Sequence, residues 1–130
     1  MIRFILIFLF LFTTTTNALA AVAVDHKLMR QWTKELRLLY KNGLKIHTSY
    51  DLNSTPDVRA CHEKYGHLRK SAATLRDKAL ALNNMEYRSQ FYPAVYAAFA
   101  CVYCGGDGKE CFDILPPVEK IEGYLKRDGY

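Results

Sequence analysis

Between Val58 and Leu82 an apolar or small residue stands at every third or fourth position without a break: Val58, Cys61, Tyr65, Leu68, Ala72, Leu75, Ala79 and Leu82. Residues at that spacing share a face only on an α-helix, so the segment has one regular structure open to it. Just ahead, Ser54-Thr55-Pro56-Asp57 supplies a capping hydroxyl, a proline for the first turn and an acid near the positive helix end. The seam predicts a helix of about 27 residues, roughly 40 Å long. Gly66 inside it costs about 1 kcal/mol relative to alanine, which so many in-phase apolar positions override. The other face carries Arg59, Glu63, Lys64, Arg69, Lys70, Arg76, Asp77 and Lys78, and reads as solvated.

A helix with one apolar stripe needs partners, and the rest of the chain supplies them. Leu28, Met29, Trp32, Leu36, Leu39 and Tyr40 repeat at helical spacing behind a capping Asp25. This first helix is expected to end near Asn42-Gly43, with Leu44 to Asn53 either prolonging it or forming a packed loop. After a turn at Asn83-Asn84, the run from Phe91 to Cys104 holds no charge at all and predicts a helix buried on most sides. Its small face (Ala94, Ala97, Ala98, Cys101) is expected to pack closely on the long helix, and Gly105-Gly106-Asp107-Gly108 to end it. Cys111, Ile114, Val118, Ile121 and Leu125 repeat again at helical spacing. Pro116-Pro117 should break this stretch, and Asp128-Gly129-Tyr130 should fray. No stretch alternates with a period of two. The fold class read from this is all-α, a small disulfide-stapled bundle of four to five helices.

The chain opens Met1-Ile2-Arg3, runs from Phe4 to Phe12 without a polar residue, and reaches Ala18-Leu19-Ala20. A basic start, a short apolar run and a small-x-small site form the secretory signal pattern, and the run is shorter than the roughly 20 residues of a membrane span. Residues 1–20 are therefore read as a signal peptide cut after Ala20, and residues 21–130 as one helical domain with no stable membrane insertion. Without Arg3, the remaining 17 basic residues face 13 acidic ones. That mild excess, together with export, excludes a dedicated nucleic-acid binder and tilts the surface toward acidic partners. The expected compartment is the bacterial periplasm, with secretion to the exterior as the alternative. On a eukaryotic route Asn53-Ser54-Thr55 would be a glycosylation sequon, a poor one because Pro56 follows it.

Cys61, Cys101, Cys104 and Cys111 all lie in the exported part, and an even count in a small exported chain reads as two disulfides. Cys61 on the long helix and Cys101 on the small face of the next would meet across an antiparallel hairpin. Cys104 and Cys111 flank the glycine-rich loop. The expected pairs are Cys61–Cys101 and Cys104–Cys111, with Cys61 to Cys104 or Cys111 as the nearest competitor. Cys101-Val102-Tyr103-Cys104 also has the spacing of thiol–disulfide oxidoreductases. Those enzymes hold the reactive thiol at a helix N-terminus, where the dipole favours thiolate, and here the pair stands at a C-terminal end.

Other chemistry finds no support. No serine-nucleophile elbow, phosphate-binding loop or dinucleotide turn is present. Oxidation competes with any zinc site built from the cysteines and His62 or His67, Asp107 and Asp113 lack calcium-loop spacing, and His26 and His47 read as edge residues. No metal and no cofactor are expected. What the surface offers instead is tyrosine and arginine, the residues favoured at interface hot spots. Tyr87, Arg88 and Tyr92, beside the turn after the long helix, form the candidate partner-binding patch.

The order Cys61, long helix, uncharged C-V-Y-C segment and Cys111 resembles small exported helical proteins of bacteria that have no established activity. In size, export signal and helical disulfide design the chain is also similar to periplasmic immunity proteins. That resemblance implies a non-enzymatic binding module with an exported protein partner, acting as inhibitor or immunity protein by contact alone. The alternative is a redox protein working through Cys101 and Cys104.

Overall fold

A computed structural model describes residues 24–130; the export segment read over residues 1–20 and its cut lie outside the described residues. The described residues form four helices, α1 (His26–Ser49), α2 (Thr55–Leu80), α3 (Met85–Cys101) and α4 (Leu115–Arg127), with a 3-10 turn at Lys109–Asp113 before the last. No strand occurs among the described residues. The all-α, disulfide-stapled bundle is what the spacing of apolar residues predicts.

α1 and α3 begin at side-chain caps, and α2 and α4 at prolines in the first turn. The Asp25 carboxylate accepts from the Leu28 N–H at 3.0 Å, and the Asn84 side chain accepts from Tyr87 N–H at 3.1 Å. Ahead of α2 the Ser54 hydroxyl makes no capping bond. Asp57 acts instead by accepting from the backbone N–H of Asp51 at 2.8 Å, which ties the incoming loop to the first helical turn. Pro116 and Pro117 occupy the first turn of α4, where a missing N–H costs nothing. The break expected at this pair is the boundary between the 3-10 turn and α4.

Two boundaries differ from the sequence reading, and both have physical reasons. Gly43 does not end α1, which runs six residues further. The glycine is there for proximity: a Cβ built on it would lie 2.0 Å from Cys101 Sγ and 3.1 Å from the Cys101 carbonyl oxygen. The C-terminal tail is anchored, not frayed. Tyr130 N–H returns to the Leu125 carbonyl at 2.8 Å and Gly129 N–H to Lys126 at 3.2 Å, with Gly129 at φ 87°. These are the two hydrogen bonds of a Schellman motif, which satisfies the last carbonyls of α4.

α3 stands at the centre and touches α1, α2, α4 and the 3-10 turn. Its Phe91 meets Trp32 of α1 edge to face at 5.6 Å, and its Tyr87 meets Tyr124 of α4 in the same way at 5.7 Å. Phe91, Leu36, Leu75, Ile114 and Ile121 are fully buried around these contacts, each contributing about 1.5–3 kcal/mol from burial. α2 and α3 form the antiparallel hairpin expected of them, since Cys61 near the start of α2 is bridged to Cys104 just past α3, while Arg76 near the end of α2 reaches back to Phe99. The uncharged stretch is buried on most sides, as expected, and is open along one edge. Along that edge Tyr92, Tyr96 and Tyr103 emerge to solvent, and arginines of α2 reach over Phe99 and Tyr103.

Candidate functional site

The four cysteines pair as Cys61–Cys104 and Cys101–Cys111, with Cα separations of 5.9 and 4.6 Å. This overturns the expected Cys61–Cys101 and Cys104–Cys111 pairing. Cys101 ends α3 pointing at α1 and the 3-10 turn, where Gly43 leaves room for its sulfur. The chain then reverses through Val102 and Tyr103, and that reversal carries Cys104 back onto α2 beside Cys61. The C-V-Y-C segment is therefore no dithiol of its own. Its two sulfurs belong to different bridges, both buried, and no free cysteine is present among the described residues. Two disulfides fit an oxidising compartment.

His47 locks the same corner. Its Nε2 lies 3.0 Å from the Cys101 carbonyl, which only accepts, so the ring donates from Nε2. The ring face rests on Gly108, which has φ 75° and could carry no side chain there. Between this corner and the loop after α1 lies a hollow of about 190 Å³, bordered by Tyr50, Asp51, Asn53 and Asp107. Its ionisable ring and both carboxylates are engaged: His47 on Cys101, Asp51 on the Asn53 N–H at 3.0 Å, and Asp107 on Lys109. No acid, base and nucleophile converge in it.

A second cluster closes the two ends of the domain. Asp128 accepts from the Tyr87 hydroxyl at 2.9 Å, from Arg127 Nε at 2.8 Å, and lies 3.2 Å from His26 Nε2. Arg127 in turn grips Glu86 through both guanidinium nitrogens at 2.6 and 2.9 Å, and Tyr130 stacks on His26 at 4.1 Å. Arg127 first, then Tyr87 and His26, holds the Asp128 carboxyl well below the usual carboxylate range. Burial, and then Asp128, pushes the Tyr87 phenol above its ordinary value. Tyrosine, aspartate and histidine share a site here without a cavity for a substrate, and what they do is join α1, α3 and α4.

The remaining feature is an aromatic ridge. Tyr92, Tyr96, Phe99 and Tyr103 follow one another at helical spacing along the side of α3 that meets α2 and at its end. Tyr92, Tyr96 and Tyr103 are 47%, 43% and 42% exposed, and the Tyr92 and Tyr96 rings lie 4.8 Å apart. From α2, the Arg69 guanidinium sits 4.3 Å from the ring centres of both Phe99 and Tyr103, while Arg76 stands 5.3 Å from Phe99. Arg76 also holds Asp77 at 3.1 Å. Arg69 makes no ion pair among the described residues, so the aromatic faces are what position it.

Of the patch expected from the sequence, Tyr92 belongs to this ridge and Arg88, half-buried, lies one turn before it. Tyr87 does not reach the surface, being 1% exposed with its hydroxyl on Asp128. Tyr96, Phe99, Tyr103 and Arg69 were not singled out as site residues, although the seven-residue step from Arg69 to Arg76 on a helix antiparallel to Tyr92–Tyr103 is a readable signal. His62 and His67 are exposed. Among the described residues no group of histidine, cysteine or carboxylate side chains could hold a metal ion, and no helix is long and apolar enough to cross a membrane. Set against protein-family models, curated proteins and solved structures, the chain finds no match in any of the three.

Proposed function

We propose that this protein is an exported, non-enzymatic binding module that holds another exported protein through the aromatic–arginine ridge of α2 and α3. Its mode of action is that of a periplasmic inhibitor or immunity protein, contact without chemistry. The observation that carries this reading is the Arg69 clamp. A guanidinium already held against two rings loses little freedom on binding, and its N–H groups, which make no hydrogen bond among the described residues, suit a carboxylate of the partner. The exposed tyrosines beside it offer large contact area with few rotatable bonds, and such residues supply most of the binding energy at interfaces. The hollow near His47 and the Asp128 cluster offer no unpaired cation beside exposed aromatic rings, and no observation favours a redox role for Cys101 and Cys104.

The test is affinity capture from the exported fraction of the source cell, with the native protein and a Tyr96→Ala/Tyr103→Ala double variant run in parallel. A partner retained by the native protein and lost with the variant is the expected result. Truncating two ridge tyrosines should weaken binding by about 2 kcal/mol or more each. A partner held equally by both contradicts the proposal.

A further inference from the structure

The outer face of α1 is chemically uniform. Lys27, Arg30, Lys34, Lys41 and Lys45 are all exposed. At 3.6 residues per turn they fall, with Leu38, inside a sector of about 100° that runs for about 27 Å along the helix. The buried Met29, Trp32, Leu36, Leu39, Gly43 and Ile46 occupy the opposite side. Arg37, the remaining Lys or Arg of α1, is drawn off the stripe by two hydrogen bonds of 2.6 Å to Glu122. Glu35, the only acid in α1, is half-buried on the flank.

None of the five cations makes an ion pair among the described residues, whereas Arg37, Arg76, Lys109 and Arg127 each hold a carboxylate. Three neighbouring pairs on the stripe, Lys27 with Arg30, Arg30 with Lys34 and Lys41 with Lys45, are like charges at helical contact spacing and oppose the helix. Negative charge supplied along the whole stripe would turn that repulsion into attraction. A compact anion does not meet this geometry. Lys27, Arg30 and Lys34 surround a shallow hollow, but Lys41 and Lys45 lie two and three turns beyond it. Only an extended anion engages all five. Leu38, 57% exposed at the middle of the stripe, fits a surface with an apolar layer beneath its charges. The disulfides fit an oxidising compartment, where an exported chain meets lipid headgroups and not nucleic acid.

We infer that the outer face of α1 lies along an anionic phospholipid bilayer as a peripheral electrostatic contact. The helix does not insert, because its apolar side is committed to the core. This contact uses none of the residues of the aromatic ridge, which belongs to α2 and α3.

The test is co-sedimentation of the disulfide-intact protein with phosphatidylcholine vesicles, with and without phosphatidylglycerol. Binding is expected only to the anionic vesicles and should weaken steeply with added salt. At about fivefold per charge, a Lys27→Gln/Lys34→Gln/Lys41→Gln variant should bind on the order of 100-fold more weakly. A Lys64→Gln/Lys70→Gln/Lys78→Gln variant loses the same net charge from α2 and should stay within about threefold of the native protein. All six lysines are exposed, so both variants should keep the native circular dichroism spectrum. Inorganic phosphate at matched ionic strength should leave vesicle binding unchanged. Failure to bind anionic vesicles, equal weakening of the two triple variants, or competition by inorganic phosphate would each overturn the proposal.

Discussion

Adding a single methyl group at Gly43 should destabilise the protein, although glycine-to-alanine inside a helix ordinarily does the reverse. The ordinary gain is about 0.5–1 kcal/mol, from the smaller backbone entropy that alanine loses on folding. At Gly43 the new Cβ would stand 2.0 Å from Cys101 Sγ, 3.0 Å from Cys111 Sγ and 3.1 Å from the Cys101 carbonyl oxygen. None of these is the loose end of a side chain. Two belong to a disulfide and the third to backbone, so relief requires moving α1 away from the α3 corner by more than about 1 Å. Over-packing of a core typically costs 1–3 kcal/mol, and neighbours this stiff place Gly43→Ala toward the upper end. The net loss should be about 2 kcal/mol, or a fall in Tm of about 8–10 °C for a domain of this size. Gly66→Ala is the matched reference. Nothing lies within 4 Å of a Cβ at Gly66, so this variant should gain about 0.5–1 kcal/mol. Chemical and thermal denaturation followed by circular dichroism measure both. Removing Cys101 and Cys111 together, each to alanine, should shrink the penalty of Gly43→Ala, a non-additivity expected only if the methyl meets that bridge. A Gly43→Ala protein as stable as the native one would refute the close approach of the Cys101–Cys111 bridge to α1.

Other outcomes follow from the same contacts. Peptide mapping without reduction should link Cys61 to Cys104 and Cys101 to Cys111; on chain-entropy grounds, losing the first bridge (separation 43) should cost about 4 kcal/mol and losing the second (separation 10) about 3, as upper values. Because Asp128 is held below its ordinary value when folded, its contribution is present above the unfolded value of about 3.9 and fades as pH falls through the lower, folded one. The stability gap between the native protein and Asp128→Asn, followed by urea titration, should therefore be constant near neutrality and close only in strong acid. Tyr87 shifts the other way: its contribution is complete below the unfolded value of about 10 and is lost as pH rises beyond it, so Tyr87→Phe should flatten the alkaline limb of the same titration.

Periodicity made the helices legible. The eight positions from Val58 to Leu82 announced α2, and Asp25, Asn84 and the proline pair fixed boundaries through chemistry that operates within one turn. What the sequence could not carry was whatever depends on distant neighbours. Gly43 looks like a helix terminator until the sulfur of Cys101, far along the chain, is seen to need its space. The Cys61–Cys101 pairing seemed natural because both residues face the hairpin seam on paper. It failed because α3 stops at Cys101 and the chain turns, a change of direction that spacing alone does not encode. Tyr87 and Tyr92 looked alike as neighbouring surface tyrosines, yet Asp128 draws one into the core while the other stands at the end of the ridge. An uncharged run likewise does not reveal that arginines from α2 will reach over Phe99 and Tyr103.

The most direct test of the ridge as the working surface is site-specific photo-crosslinking in the source cell. A photoreactive amino acid would be placed at Tyr96 in one strain, at Tyr103 in a second and at the exposed Glu119 of α4 in a third. A discrete protein adduct of the same mass from Tyr96 and Tyr103, and none from Glu119, is the expected result. An adduct from Glu119 with none from either ridge position would contradict the assignment of partner binding to α2 and α3.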